Sequence, residues 1–359
     1  MISLNNKNKK AIIAMSGGVD SSVAAYIVKN MGYDLCGITL KLYADELYEP
    51  NCCSDDDIED AKKVAEILGF PHEVYNFTDN FKEKVIDKFV RTYKEGGTPN
   101  PCIECNRHLK FEKLIKKAEE DGFDYVVTGH YAKVEYDEKL NRFLLKKAED
   151  TTKDQTYVLY SLTQKQLSKT MFPLGTLTKE KVRELAESLD FVNADKPDSQ
   201  DICFVKDGDY FKFIEDYTGE KSIPGKFLDK DGNVLGTHKG IINYTIGQRK
   251  GLGLSLKAPM FVCEKNVSDN TVILGYTKDL MSKTLTANDV NLIMFDKLDG
   301  PLRVNAKTRY NQKEAPATVT LLEDGRIKVE FDEPQRAITK GQAVVLYIGD
   351  TVVGGGTIE

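Results

Sequence analysis

The chain has 359 residues, 41% hydrophobic and 30% charged, with a formal net charge of −6. That balance predicts two or three domains with real cores and argues against non-specific nucleic-acid binding, though local basic patches can still hold phosphates. The opening MISLNNKNKK has no apolar run and no later segment approaches a membrane span, so neither signal peptide nor membrane partner is expected, and a cytoplasmic, reducing compartment is.

In chain order, residues 11–15 (AIIAM) predict a short buried strand, 22–30 a helix and 34–42 another strand. Ser54 is placed to cap a helix, with Asp57 three residues on; Ile58, Ala61, Ala65 and Leu68 share its apolar face, and Gly69 and Pro71 end it. A strand over 72–77, helices over 80–94 and 107–121, and a strand over 125–131 follow. Strands alternating with helices predict an α/β doubly wound parallel sheet, with any ligand beyond the carboxyl ends of the strands. Near Lys206 the texture turns rich in glycine and turn residues. From about Thr284 period-2 segments dominate, and Asp324–Gly325 marks a hairpin. The expected division is a catalytic domain over 1–205, a central domain over 206–280 and a small C-terminal β-barrel over 281–359.

AIIAMSGGVDSS (residues 11–22) is strand, glycine-rich loop and helix start. Two glycines let backbone amides turn toward an anion, and the helix N-terminus adds partial positive charge. The stretch is neither a Walker A loop nor a Rossmann fingerprint. It resembles the SGGxDS loop of the ATP pyrophosphatases (PP-loop enzymes). That resemblance implies ATP bound by Ala14, Met15, Ser16, Gly17, Gly18, Val19, Asp20 and Ser21, with Asp20 associated with Mg2+.

Of the seven cysteines, Cys36 and Cys263 lie in apolar strand-like runs and read as small buried hydrophobes. Adjacent Cys52 and Cys53 favour a structural role. Cys102 and Cys105 form a C-x-x-C after two prolines, and Cys203 lies in KPDSQDICFV. A zinc site would need four ligands, and no second C-x-x-C or H-x-x-x-H is present. A redox pair would want the motif at a helix N-terminus, which Cys105 approaches.

The ordered set SGGVDSS, CNRHLKF, VTGHYAK, KDQTYVLY, DSQDICF, IGQRKGLG and TRYNQ is similar to the tRNA-specific 2-thiouridylases, across nearly the whole chain. The resemblance implies an ATP-dependent tRNA-uridine 2-sulfurtransferase acting on the wobble uridine of tRNAs for Lys, Glu and Gln. Its sulfur would come from a cysteine desulfurase, a relay protein or free sulfide. By the same resemblance Cys105 is the nucleophile, Cys203 carries a persulfide, Leu40 and Gly129 border the adenosine, and His130, Lys153, Asp154 and Gln155 meet the tRNA. One position departs from the pattern. Many relatives read N-P-D-x-x-C-N, and here Cys102 replaces the Asp. Cys102, Cys105 and Cys203 could then ligate a [4Fe–4S] cluster with one open iron. Alternatively, Cys203 carries sulfane sulfur that Cys105 resolves. The cluster is the stronger reading at this level, because Cys102 has no task in the other.

Carbonyl oxygen is a poor leaving group; AMP transferred to uridine O2 lets it depart, and a preorganised positive site stabilises the pyrophosphate. The wobble base must flip, so other contacts have to offset a few kcal/mol. Expected grips are His238–Lys239, residues 247–253, and residues 307–313, where Arg309 and Tyr310 combine a cation with a stacking surface; Gln342 could bond a base edge. Two rival readings are a PP-loop ligase adenylating a small acceptor and a non-catalytic RNA-binding protein.

Overall fold

A computed structural model describes residues 9–43, 54–198, 201–205 and 208–359; Cys52 and Cys53 lie outside the described residues. The first domain contains β1 (Lys10–Ala14), β2 (Asp34–Lys41), β3 (His72–Asn76), β4 (Tyr125–Val127), the hairpin β5 (Lys133–Asp137) and β6 (Arg142–Lys146), and β7 (Thr170–Met171). Its sheet is parallel, in the order β3-β2-β1-β4-β7. Strand order therefore reverses beside β1, where such sheets bind ligands. The period of two is visible on β1: Ala11 and Ile13 enter one core and Ile12 the other. Helices cover both faces, as expected from the alternating elements.

α1 (Val19–Asn30) follows β1 directly. α2 (Asp55–Leu68) begins in the expected capping box of Ser54 and Asp57 and ends on Gly69 in the left-handed region. Residues 78–94 are helical with a π-turn over Lys82–Ile86. The helix expected over 107–121 starts earlier, at Pro101, and passes through a π segment over Cys105–Lys113. Pro101 occupies N1, where its missing N–H costs nothing, so both cysteines ride on a helix. The strand expected over 125–131 stops at Val127, where the chain leaves the sheet to approach α1.

The central domain packs β8 (Gly225–Leu228), β9 (Val234–His238), β10 (Phe261–Asn266) and β11 (Thr271–Gly275) around Phe227, Tyr244, Val262 and Leu274. The C-terminal strands are β12 (Met281–Leu292), β13 (Leu302–Lys307), β14 (Ala315–Leu321), β15 (Ile327–Arg336), β16 (Ala343–Ile348) and β17 (Thr351–Ile358). They run β12-β15-β14-β13-β16-β17 and close through β12–β17, which removes the open edges. Gly325, with φ +84°, makes the expected turn between β14 and β15. Among the described residues no helix is long and apolar enough to cross a membrane.

The barrel is fastened to the first domain. Arg107 pairs with Asp289 beside a bulge in β12, and the Asn291 amide donates to the carbonyls of Tyr160 (2.7 Å) and Leu162 (3.0 Å). The loop before Cys102 is held from two sides. Thr98 N donates to Lys340 O (2.8 Å), and Gln342 Nε2 donates to the Thr98 and Pro99 carbonyls (2.9 and 3.3 Å). From the central domain, Lys265 Nζ reaches Gly97 O (3.3 Å).

Candidate active site

The loop after β1 is shaped by close approach. Gly17 has φ +74°, and a Cβ there would lie 2.4 Å from Asp57 O. A Cβ on Gly129 would lie 2.8 Å from Ser21 N, so only glycine lets the end of β4 meet the start of α1. Ser21 Oγ donates to Gly18 O (2.9 Å), and Asn193 Nδ2 donates to Gly17 O (2.9 Å) and Ser22 Oγ (3.0 Å). Gly18 caps α1 without a side-chain bond, so the first-turn amides are open to an anion. Leu40 is buried near the end of the adjacent β2, and Ser16 is exposed.

Charge gathers beside this loop. Asp20 Oδ1 accepts from Tyr131 Oη (2.8 Å) and from Lys179 Nζ (2.7 Å). Lys179, only 9% exposed, also pairs with Asp198 (2.7 Å), which Lys153 (2.8 Å) and Arg183 (3.1 Å) engage as well. Burial pushes the Asp198 carboxyl up, but Lys153 and Lys179 outweigh it and bring it down to about 2. Three cations thus face Asp20 and Asp198, and the Asp150 carboxylate accepts from the Lys179 backbone N–H (3.0 Å). Burial and the Asp20 charge push the Tyr131 phenol up, keeping it protonated as a donor.

A run of contacts leads on from here toward the cysteines. Gln155 brackets Tyr131: its N–H donates to Tyr131 O and its Oε1 accepts from Tyr131 N, both 2.9 Å. Next to it, Asp154 O accepts from Tyr310 Oη of the barrel (3.2 Å). Lys307 Nζ stands 5.9 and 6.0 Å from the ring centres of Tyr157 and Tyr310. Tyr310 in turn feels Cys102: burial raises its phenol, with Asp154 and Cys102 adding to the shift. Cys102 is exposed as a residue, yet protein surrounds its thiol on most sides. That setting, with Cys203 adding to it, pushes the thiol up to about 11. Cys105 and Cys203 are half-buried against one core. Two anchored residues flank Cys203 in the sequence. On one side is Asp198; on the other is Phe204, whose ring centre lies 5.6, 5.2 and 5.2 Å from those of Phe81, Phe89 and Phe213.

Among the described residues no three cysteine, histidine or acidic side chains are grouped to hold a metal. Cys102 and Cys105 ride one helix and Cys203 lies on a separate segment, close enough to Cys102 to act on its thiol.

Comparison with known proteins bears on this arrangement directly. Residues 9–207 match the tRNA methyl transferase HUP domain, 211–276 the tRNA methyl transferase PRC-barrel domain, and 282–358 the aminomethyltransferase beta-barrel domain. A tRNA-specific 2-thiouridylase MnmA from Clostridioides difficile (strain 630) is 54% identical over 355 residues, 98% of each chain. The chain belongs to the tRNA-specific 2-thiouridylase family. Further members are an MnmA 1 from Thermoanaerobacter sp. (strain X514), 53% identical and covering 98% of each chain, and an MnmA from Acetivibrio thermocellus, 52% identical over 98% of this chain and 99% of its own.

Several residues expected to meet RNA are held by contacts within this 2-thiouridylase-family chain. His130 is buried between Phe111 and Phe172, bonds Thr128 Oγ1 (2.7 Å), and is held neutral by burial. His238 is buried against Asn270 O (3.1 Å). Arg309 Nη2 donates to Ile246 O, Ala337 O and Thr339 Oγ1, tying the central domain to the barrel. Gln342 and Gln155 spend their amides on backbone. Both Asp154 carboxylate oxygens accept from Ala148 N and Thr156 Oγ1, and Lys153 pairs with Asp198. Tyr310 is 37% exposed, and Lys239, Arg249 and Lys250 are exposed. Sequence reasoning missed Lys179, Arg183 and Asn193. Lys179 had left a signal: it is the first residue of the helix Lys179–Ser188, where the helix dipole disfavours a cation.

Proposed function

We propose that this chain replaces the C2 oxygen of the wobble uridine of tRNA with sulfur at the expense of ATP. By family resemblance the substrates are the tRNAs for Lys, Glu and Gln. The observation that carries the reading is the run of contacts from the glycine loop, through Asp20, Tyr131, Gln155 and Asp154, to Tyr310, whose phenol is shifted in part by Cys102. It leads from an anion-binding loop toward the thiols.

The chemistry follows from these groups. The α1 amides and Lys179 receive the polyphosphate and the departing pyrophosphate. Magnesium arriving with ATP needs only one or two protein carboxylates. Asp20 fits that part, with the Lys179 ammonium now filling the cation position beside it, and the ion would neutralise charge on the phosphates. Uridine O2 attacks the α-phosphorus and becomes the bridging oxygen of an adenylate. The partly exposed Tyr310 is a stacking surface for a base drawn out of its loop. A persulfidated donor passes sulfane sulfur to Cys203. The terminal sulfur attacks C2 and AMP leaves with the former O2. Attack of the Cys105 thiolate on Cys203 Sγ then releases 2-thiouridine and leaves a Cys105–Cys203 disulfide. The test uses purified protein, ATP, unmodified tRNA and a persulfide donor. Thiolation should require ATP and be abolished in Cys203→Ser and Cys105→Ser, while pyrophosphate release on adenylation of the tRNA persists in both. ATP-independent thiolation, or full activity of Cys203→Ser, would contradict the proposal.

A further inference from the structure

Cys102 is the one thiol of the cleft that the sulfur-transfer steps leave without a task. It lies on the first turn of the helix that begins at Pro101, with Cys105 three residues on, still in helical geometry (φ −61°, ψ −46°). Side chains so spaced share a face, with Cβ atoms about 5–6 Å apart before adjustment, which a disulfide can bridge with little backbone movement. Exposure divides the three thiols: Cys102 is exposed, whereas Cys105 and Cys203 are half-buried. A disulfide between the two half-buried residues is poorly placed for a bulky reductant. It also keeps Cys203 from receiving the next sulfur.

We infer that Cys102 is a second resolving cysteine, which moves the product disulfide from Cys105–Cys203 to the exposed Cys102–Cys105 pair and so returns Cys203 to its thiol form before external reduction. The inference rests on the persulfide reading of the site. The Cys102 thiolate attacks Cys105 Sγ; the Cys105–Cys203 bond breaks, and its electron pair and a proton end on Cys203. This exchange is redox-neutral. A dithiol protein then supplies two electrons and two protons to Cys102–Cys105 and leaves as its own disulfide. The same separation of tasks accounts for a thiol at the position where many relatives carry Asp, without asking it to serve as a base.

The experiment follows a single turnover of full-length, persulfidated protein with ATP and unmodified tRNA, without reductant. The thiols are then alkylated and the disulfides mapped by peptide mass spectrometry. A Cys102–Cys105 bond with alkylated Cys203 is expected. In Cys102→Ser the bond should stay at Cys105–Cys203. Steady-state turnover with a dithiol protein should fall about tenfold, with a small membrane-permeant dithiol such as dithiothreitol restoring most of the loss. A wild-type product carrying Cys105–Cys203 and fully alkylated Cys102 overturns the inference while leaving the persulfide reading intact. A wild-type turnover that forms no disulfide, together with an active Cys203→Ser, overturns both.

Discussion

A methyl group at position 17 would press on the Asp57 carbonyl and force a left-handed φ on alanine. Gly17→Ala should therefore lower stability by on the order of 1–3 kcal/mol and weaken ATP binding, both measurable by thermal melts with and without nucleotide. Two residues further on, Asp20 already has its partners in Tyr131 and Lys179. Cys102 gives a prediction of a different kind. Burial, with Cys203 adding to it, pushes its thiol up to about 11, so the thiolate fraction rises about tenfold for each pH unit below that. The rate of disulfide hand-over in a stopped single turnover should climb accordingly from pH 7 to 9, and a flat profile would count against Cys102 as the attacking thiol. At this scale the glycine loop was legible because φ and close approach leave few alternatives to glycine. His130 was not: the rings that bury it, Phe111 and Phe172, come from distant elements.

Among the elements, α2 announced both its ends, since Ser54, Asp57 and Gly69 are local signals. The helix bearing Cys102 and Cys105 did not, because Pro99 and Pro101 look like a turn until Asn100 is seen to precede a proline at N1. The stretch around Cys203 was legible only as a motif. Its anchoring is tertiary: Asn193 bonds Gly17 O, Lys196 pairs with Asp57 (2.5 Å) and Asp60 (3.0 Å), and Asp198 is held by three cations. Asp198→Asn keeps the size of the side chain and removes the charge those cations hold. Pyrophosphate formation should continue while 2-thiouridine formed per pyrophosphate falls several-fold, if Asp198 helps to present Cys203 to the activated base. Equal loss of both products would assign Asp198 to nucleotide binding instead.

For the whole molecule, the doubly wound sheet and the closing barrel follow from patterns of period 3.6 and 2, and both were readable. How the domains clasp one another was not, since Arg107–Asp289, Gln342–Thr98 and Lys265–Gly97 join residues distant in sequence. Those ties hold the cysteine loop from barrel and central domain together. Arg309, His238 and Gln342 are held within the protein, while Lys239, Arg249 and Lys250 are exposed. Replacing Lys239, Arg249 and Lys250 by alanine should weaken tRNA binding and reduce the slope of log affinity against log salt by about two units if all three meet phosphates; an unchanged slope would place the RNA elsewhere. The central claim is that uridine O2 leaves on AMP. The direct measurement is a single turnover on tRNA carrying a heavy oxygen isotope at C2 of the wobble uridine, with mass spectrometry of the nucleotide products. One labelled oxygen in the AMP phosphate for each 2-thiouridine is the expected result. Label in pyrophosphate, or unlabelled AMP beside thiolated tRNA, would contradict it.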